Sequence, residues 1–261
     1  MTTTTVSREY TFFDVFRVPF VKTQILNSIK DQSVTHNRFN KNKQYIKGKQ
    51  LASEFAKDLR IISTYGVNWD FIKPLLGDMN EAKPEAKLKA IRAYCSHPNA
   101  NLTTTIFLLE WFKEFTPGDL LLDEVAEAGH LDILTNLLDR FPDALVTEDA
   151  LDGAAKNGHL ATVQYLHKHR KDGASTMAMD YAAANGHLAV VEFLQKNRSE
   201  GCTFLALDNA AANGLFDMAK LLCEGYPQNE ISEDAQYWAV QNGHKEIQAY
   251  FESRLKSKMS E

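Results

Sequence analysis

Two titratable residue types recur through the second half of the chain at spacings that could support chemistry. Histidine follows four of five regularly spaced glycines, at His130, His159, His187 and His244. Aspartate stands six residues before four of those glycines, at Asp123, Asp152, Asp180 and Asp208. Imidazole nitrogens are common zinc ligands, and paired carboxylates can hold a cation or act as acid and base.

The spacing argues against a shared metal ion. The glycines at Gly129, Gly158, Gly186, Gly214 and Gly243 are 29, 28, 28 and 29 residues apart. If each period forms one layer of a stack, equivalent positions lie about 8–10 Å apart, whereas zinc ligands each approach to about 2 Å. We therefore predict no metal site and a structural ladder of aspartates, each accepting backbone N–H bonds from a neighbouring loop. A cation or acid/base site at these aspartates is the alternative.

Each period predicts two helices around its glycine. Apolar residues at two, five and eight positions after the glycine, such as Leu188, Val191 and Leu194, have helical periodicity. The segment before the glycine is rich in alanine and has high helix propensity, and the glycine suits a left-handed helix end. N-cap residues stand eleven positions before four glycines, at Thr147, Ser175, Thr203 and Ser232. In the first repeat, Thr116 is predicted as the cap with Pro117 at the first helical position.

These residues resemble the ankyrin family in a divergent, short-period form. The likeness lies in the small pair before x-x-Gly-His, as at Ala154-Ala155, and in the V-x-x-L run that follows. It covers about residues 116–251. The period is about 28 rather than 33 residues, and the Thr-Pro-Leu-His opening is absent. The resemblance implies an all-α, ankyrin-like helical-repeat solenoid with trimmed fingers.

The chain is predicted to divide at residue 115. Residues 116–261 hold five ankyrin-like repeats, the last a C-terminal cap in which Lys245 and Gln248 replace apolar types and residues 254–261 fray. Residues 1–115 are predicted to form degenerate helical pairs, which make up an N-terminal region or cap. One of these pairs is predicted to turn at Gly66. Whether they cap the array or form a separate docking module stays open.

Composition favours a protein of a reducing compartment. Three cysteines without C-x-x-C spacing argue against a disulfide framework, and the first residues lack the features of a signal peptide. No apolar run is long enough to span a membrane. We expect a cytoplasmic protein, with a nuclear location left open. Residues 1–117 carry a net charge of +6 and residues 118–261 a net charge of −11.

Partner binding is predicted on the concave face that first helices line in an ankyrin-like stack. The candidate residues follow the aspartates or precede the glycines: Glu124, Glu127, Lys156, Asn157, Tyr181, Asn185, Asn209, Asn213, Trp238 and Gln241. Tyr181 and Trp238 are the expected anchors, because aromatic side chains dominate interface energetics. Either of them could instead pack between first helices.

The sequence predicts a non-enzymatic interaction scaffold that needs no cofactor and binds another protein as a monomer. No phosphate-binding glycine loop, nucleophile elbow or His-Glu-x-x-His motif occurs. One alternative is an F-box-like ubiquitin-ligase substrate adaptor, with the N-terminal helical segment as docking element. The other is weak nucleic-acid binding through residues 36–49, where basic residues alternate with aromatic ones. Nucleic acid is not expected as the main partner, and a membrane is not expected at all.

Overall fold

A computed structural model describes residues 59–64, 66, 68–73, 76–170, 173–226 and 231–258. The chain divides into two compact units, Met1–Thr116 and Pro117–Glu261. Secondary structure in the described residues is helical, without a strand, as expected for ankyrin-like helical repeats with trimmed fingers. The predicted all-α fold class is confirmed.

The described part of the first unit contains short helices followed by two longer ones. They are α1 (Arg60–Ser63), α2 (Trp69–Ile72), α3 (Leu76–Asn80), α4 (Pro84–Cys95) and α5 (Leu102–Trp111). Helix α1 packs on α4 and α2 packs on α5, while α4 and α5 contact each other. The glycine between α1 and α2, Gly66, has a φ of +54°. The F-box-like segment and the basic stretch at 36–49 lie outside the described residues.

The described residues of the second unit form five helical pairs. The first helices of the pairs are α6 (Leu121–Glu127), α8 (Glu148–Lys156), α10 (Met177–Ala184), α12 (Phe204–Ala212) and α14 (Glu233–Gln241). The second helices are α7 (Leu131–Arg140), α9 (Leu160–His169), α11 (Leu188–Asn197), α13 (Phe216–Gly225) and α15 (Lys245–Lys258). Each first helix therefore ends shortly before one of the recurring glycines.

Helices of the second unit stack in two rows. The first helices contact one another in chain order, from α6 through α8, α10 and α12 to α14. The second helices α9, α11, α13 and α15 form the other row, and each first helix also contacts its own second helix. Such a layer cannot bury its apolar residues alone, so its stability depends on its neighbours.

Residue size explains how the rows fit together. The small pairs predicted from the sequence, such as Ala182-Ala183 and Ala210-Ala211, are fully buried in the first helices. Because they carry no bulk, they let the helices on either side approach closely. On the second helices, the apolar residues five and eight positions after the glycine are buried, as Val191 is in α11.

Helix starts follow the predicted caps in four repeats and differ in one. The hydroxyl oxygens of Thr147, Thr203 and Ser232 accept backbone N–H bonds from the first turns of their helices. The Ser175 hydroxyl accepts from Met177 in the same way, although helix α10 begins only after Thr176. Each of these caps satisfies a backbone donor that the helix leaves unpaired.

The cap predicted at Thr116 is wrong. Helix α6 begins at Leu121, and its preceding residue makes no side-chain cap bond. The chain between them turns at Gly118, whose φ of +75° is incompatible with a helix. The carbonyl and hydroxyl oxygens of Thr116 instead accept bonds from the Arg92 guanidinium, within the first unit.

The C-terminal helix is longer than predicted. Residues expected to fray are helical as far as Lys258. Arg254 holds this end in place, since its guanidinium donates to the carbonyl of Cys223 at 2.8 Å. Ile247 and Phe251 are buried on the same helix, whereas Glu252 and Ser253 are exposed. The last repeat thus presents a polar side on its second helix.

Candidate interaction surface

The aspartate column connects each repeat to the next. Asp123 accepts the backbone N–H of Thr147 at 2.9 Å and its hydroxyl at 2.7 Å. Asp180 accepts the same two groups from Thr203, both at 2.8 Å. In the repeat between them, Asp152 accepts both groups of Ser175. Each carboxylate therefore binds the residue that caps the first helix of the following repeat.

The last member of the column keeps one of these contacts. Asp208 accepts the hydroxyl of Ser232, which in turn caps α14. Tyr237 takes the aspartate position in the last repeat and is 54% exposed. An aspartate is thus present in each repeat that is followed by another repeat, whose cap residue it binds.

Burial dominates the titration of three carboxylates of the column. Desolvation raises the pKa of Asp152, Asp180 and Asp208, and the hydrogen bonds from the following cap partly offset that rise. For Asp152 the nearby Glu148 and Asp149 charges add to the increase in pKa. The hydrogen-bond donors to these carboxylates are cap residues of the following helices, which suits a structural role.

A second ladder, formed by asparagines, was missed at the sequence level. Asn157 donates its Nδ2–H to the carbonyl of Glu127, and Asn185 donates to that of Lys156, both at 2.8 Å. Two further bonds continue the series, from Asn213 to Ala184 at 2.9 Å and from Asn242 to Ala212 at 2.7 Å. Each acceptor is a carbonyl at the C-terminal end of the previous first helix, which lacks an intrahelical partner.

Three of the predicted binding residues are members of the asparagine ladder. Asn157, Asn185 and Asn213 are exposed, yet one amide proton of each is used within the array. The signal for this role was available, because asparagine precedes four of the five recurring glycines. Whether these residues also contact a partner stays a prediction.

His159 and His244 contact the main chain of the preceding repeat. The Nε2 atom of His244 lies 3.0 Å from the carbonyl oxygen of Ala212. His159 forms a hydrogen bond with the main chain of Glu127, but desolvation outweighs it and lowers the pKa of the imidazole. Among the described residues, no group of three or more His, Cys, Asp or Glu side chains is arranged to hold a metal ion.

A further set of recurring positions lies on an exposed or half-buried side of the first helices. Residues nine, five and two positions before each glycine share one side of a first helix, because they are spaced i, i+4 and i+7. We call these positions the first-helix stripe: Leu120, Glu124, Glu127, Asp149, Gly153, Lys156, Met177, Tyr181, Ala184, Leu205, Asn209, Ala212, Asp234, Trp238 and Gln241. All of them are exposed or half-buried. Seven of the ten predicted binding residues belong to the stripe.

The predicted aromatic anchors lie on this stripe. Tyr181 is 44% exposed and Trp238 is 45% exposed. The Trp238 ring contacts its neighbour Tyr237 edge-on, with ring centroids 5.2 Å apart. Large parts of both anchor side chains are therefore accessible to a partner, although their role in binding is untested.

Neighbouring first helices approach closely along the stripe. A Cβ atom on Gly153 would lie 2.9 Å from the Cβ of Glu127 in the previous repeat. Glu127 also pairs with Lys156 across the two helices, with Nζ and Oε1 3.1 Å apart. Both side chains are almost half exposed, so this pair contributes about 0–1 kcal/mol to stability.

Comparison with known proteins agrees with this architecture. The family model described as "Ankyrin repeats (many copies)" matches residues 151–195, from α8 to α11. These residues resemble ankyrin repeats. The resemblance to a divergent ankyrin-like repeat family is thereby confirmed. No curated protein matches the chain.

Ankyrin repeats generally mediate protein–protein interaction, and the family is typically non-enzymatic. The ankyrin-like array has the helical pairs and stacked rows that such binding surfaces need. In the part of the chain that is described, no helix is both long and apolar enough to cross a bilayer.

Proposed function

We propose that the ankyrin-like array is a non-enzymatic interaction scaffold and binds another protein through the first-helix stripe. The observation that carries this proposal is that different positions of each first helix have different roles. The recurring Asp and Asn side chains bond neighbouring repeats, whereas the stripe positions vary in type and stay accessible. A surface whose residues vary in type and stay accessible can be adapted to one partner.

The stripe also has the side chains that protein interfaces use. Tyr181 and Trp238 are large aromatic residues with accessible rings, and such residues carry most of the binding energy in interfaces. Met177 and Leu205 are 53% and 47% exposed on the same face. Several large apolar side chains exposed on one side of a row of helices are typical of an interaction site. In an ankyrin-like stack this face is the concave one.

A catalytic role has less support. The aspartates of the column are held by helix caps, with Asp180 bound to two groups of Thr203. An acid/base pair would need two such groups close to one substrate, and each member of the column lies in a different repeat. The aspartate ladder is therefore proposed as a connection between repeats.

Photo-crosslinking in the native cell tests the proposed surface. A benzoylphenylalanine at Asn209, which is exposed near the centre of the stripe, should form a discrete crosslink to another protein. The matched control is the same probe at Glu192, which is exposed on the second helix α11. Equal crosslinking from both positions, or crosslinks from Glu192 alone, would overturn the proposal.

A further inference from the structure

The chain contains the dipeptide Asn-Gly four times, each time where a first helix ends. The pairs are Asn157-Gly158, Asn185-Gly186, Asn213-Gly214 and Asn242-Gly243. Asparagine is thermolabile in proteins because the next backbone nitrogen can attack its side-chain carbonyl carbon, Cγ. The new N–Cγ bond closes a succinimide ring, the Cγ–Nδ2 bond breaks, and ammonia leaves with the proton of the attacking nitrogen. Water then opens the ring to aspartate or isoaspartate. A glycine nitrogen attacks most readily, because no Cβ obstructs it.

Three features of the fold hold each Asn-Gly pair in an unreactive arrangement. The asparagine ψ angles lie between 0° and 6°, which turns the glycine nitrogen away from the asparagine side chain. The ladder bond occupies Nδ2, the leaving group, as in the 2.7 Å contact from Asn242 to the carbonyl of Ala212. Each glycine N–H donates to a carbonyl three residues earlier, as Gly243 does to Val240 at 3.1 Å. Ring closure in the folded protein therefore requires local opening of the helix end.

The four pairs differ in how the glycine is covered. A Cβ on Gly158 or Gly214 would lie 2.5 or 2.6 Å from a histidine of the next repeat, so that imidazole must move before the turn can open. Above Gly186 the nearest atom is a methyl carbon of Leu215 at 3.5 Å. Gly243 is exposed, and apart from its chain neighbours no described atom lies within 4 Å of a Cβ added there. The pair in the last repeat is thus the least covered.

The acceptor of the glycine N–H shows the same difference. Val240 accepts this bond in the last repeat and is 57% exposed. The alanines that accept it in the other three Asn-Gly repeats are fully buried: Ala155, Ala183 and Ala211. Ring closure removes the glycine N–H proton, and water and hydroxide reach this proton more easily at Gly243 than at the other three glycines.

We propose that Asn242 is a modification site, at which the folded array deamidates faster than at the other ladder asparagines. The co-reactant is water. Asn185 comes second, because the leucine above its glycine makes the looser contact, and Asn157 and Asn213 react last. Since Asn242 lies outside the first-helix stripe, this modification is separate from the proposed partner-binding function.

Deamidation at Asn242 weakens the connection between α12 and α14. The product is a carboxylate, which cannot donate to the Ala212 carbonyl that the amide reaches. The carboxylate also adds negative charge beside the C-terminal end of α12, where the helix dipole disfavours it. The imidazole of His244 lies 3.0 Å from the same carbonyl and remains as one contact. An isoaspartate product adds a methylene to the backbone and changes the turn itself.

Peptide mapping by mass spectrometry during incubation at mildly alkaline pH tests the order of reaction. We expect Asn242 to convert several-fold faster than Asn157, Asn185 and Asn213 in the folded protein. The matched control is the same protein in denaturing urea, where the fold no longer distinguishes the pairs and the four rates should become similar. A ladder asparagine that reacts as fast as Asn242 in the folded protein, or an unchanged order in urea, is incompatible with the proposal.

Two variants test the structural consequence. Asn242→Asp places the deamidated side chain in the array and should lower the urea midpoint of unfolding. Asn209→Asp introduces the same charge at an exposed position outside the ladder and should leave the midpoint near that of the wild type. Equal shifts in the two variants would show that charge alone is responsible, and the weakened connection between α12 and α14 would be disproved.

Aged protein links the two measurements. Asn242→Gln retains an amide but needs a larger ring for the same attack, so it should resist deamidation at this position. After incubation the wild type should unfold at a lower urea concentration than before, whereas the midpoint of this variant should change less. If both proteins lose the same stability, Asn242 is not the site that weakens the array and the proposal fails.

Discussion

Gly158 lies directly beneath the imidazole of His187 in the next repeat. A Cβ on this glycine would be 2.5 Å from the Nδ1 atom of His187, and the glycine φ is +76°. Gly214 and His244 have the same relationship, with a separation of 2.6 Å. In unit 1 a Cβ on Gly66 would likewise collide with the ring of His97. The Gly-His motif thus recurs because the glycine of one repeat leaves space for the histidine side chain of the next repeat.

Replacing Gly158 with alanine should destabilise the array for two separable reasons. A left-handed residue with a Cβ costs about 1–2 kcal/mol, and the collision with His187 adds to that cost. Gly243→Ala is the matched control, since its φ is +75° but no atom lies within 4 Å of the added Cβ. Urea unfolding should show a larger loss for Gly158→Ala by about 1 kcal/mol or more. Equal losses would refute the role of the histidine contact.

Removing a column aspartate should weaken the connection between two repeats. Asp180→Ala leaves the backbone N–H and hydroxyl of Thr203 without their acceptor. Leaving such donors without an acceptor costs about 1–3 kcal/mol, so the free energy of unfolding should fall by a similar amount. Chemical denaturation measures it. Tyr237→Ala is the control at the equivalent position of the last repeat, and a loss as large there would contradict the ladder.

The asparagine ladder predicts a difference between two exposed asparagines. Asn185→Ala removes the bond to the Lys156 carbonyl, which should cost about 1 kcal/mol. Asn209→Ala changes an exposed residue of the stripe and should alter stability by less than about 0.5 kcal/mol. Thermal and urea unfolding of both variants check this. The ladder would be unsupported if the two variants were equally stable.

Acid should weaken the array through His159. Burial lowers the pKa of this imidazole below its ordinary value of 6.5, so the unfolded chain binds the proton more readily. Its contribution to stability is therefore complete above pH 6.5 and is lost as the pH falls through the lowered folded-state pKa. Leu215 occupies this position in another repeat, which makes His159→Leu a suitable variant. Its unfolding midpoint should depend less on pH than that of the wild type.

The buried aspartates act in the opposite sense. The pKa values of Asp152, Asp180 and Asp208 are raised above 3.8, so their contribution is complete below that pH and declines as the pH rises through the raised values. Comparing wild type with His159→Leu removes this shared background. Identical pH dependence in the two proteins would show that His159 does not cause the acid sensitivity.

Most of the repeat architecture follows from local sequence signals. The glycine period, the apolar positions around Val191 and the cap at Thr203 each place a helix boundary or a buried face. The failure at Thr116 is informative, because a good cap followed by proline did not outweigh the turn at Gly118. Cap residues indicate where a helix can begin. Packing against the neighbouring helices determines where it does begin.

Side-chain partners between repeats were harder to predict than helices. Asparagine beside glycine suggested an exposed binding residue, yet the Asn185 amide reaches a carbonyl 29 positions earlier in the chain. This bond depends on the distance between two stacked first helices, which sequence periodicity does not give. The stripe itself could be identified, because i, i+4 and i+7 spacing fixes which residues share a side of a helix.

Binding and stability measured together on Trp238→Ala test the central claim most directly. The ring is 45% exposed, so the variant should unfold at nearly the wild-type denaturant concentration. Loss of an aromatic anchor typically costs 2 kcal/mol or more in binding, so the crosslink from Asn209 should weaken by about tenfold or more. A variant that unfolds, or one that retains the full crosslink yield, would contradict the assignment of the first-helix stripe as the partner-binding surface.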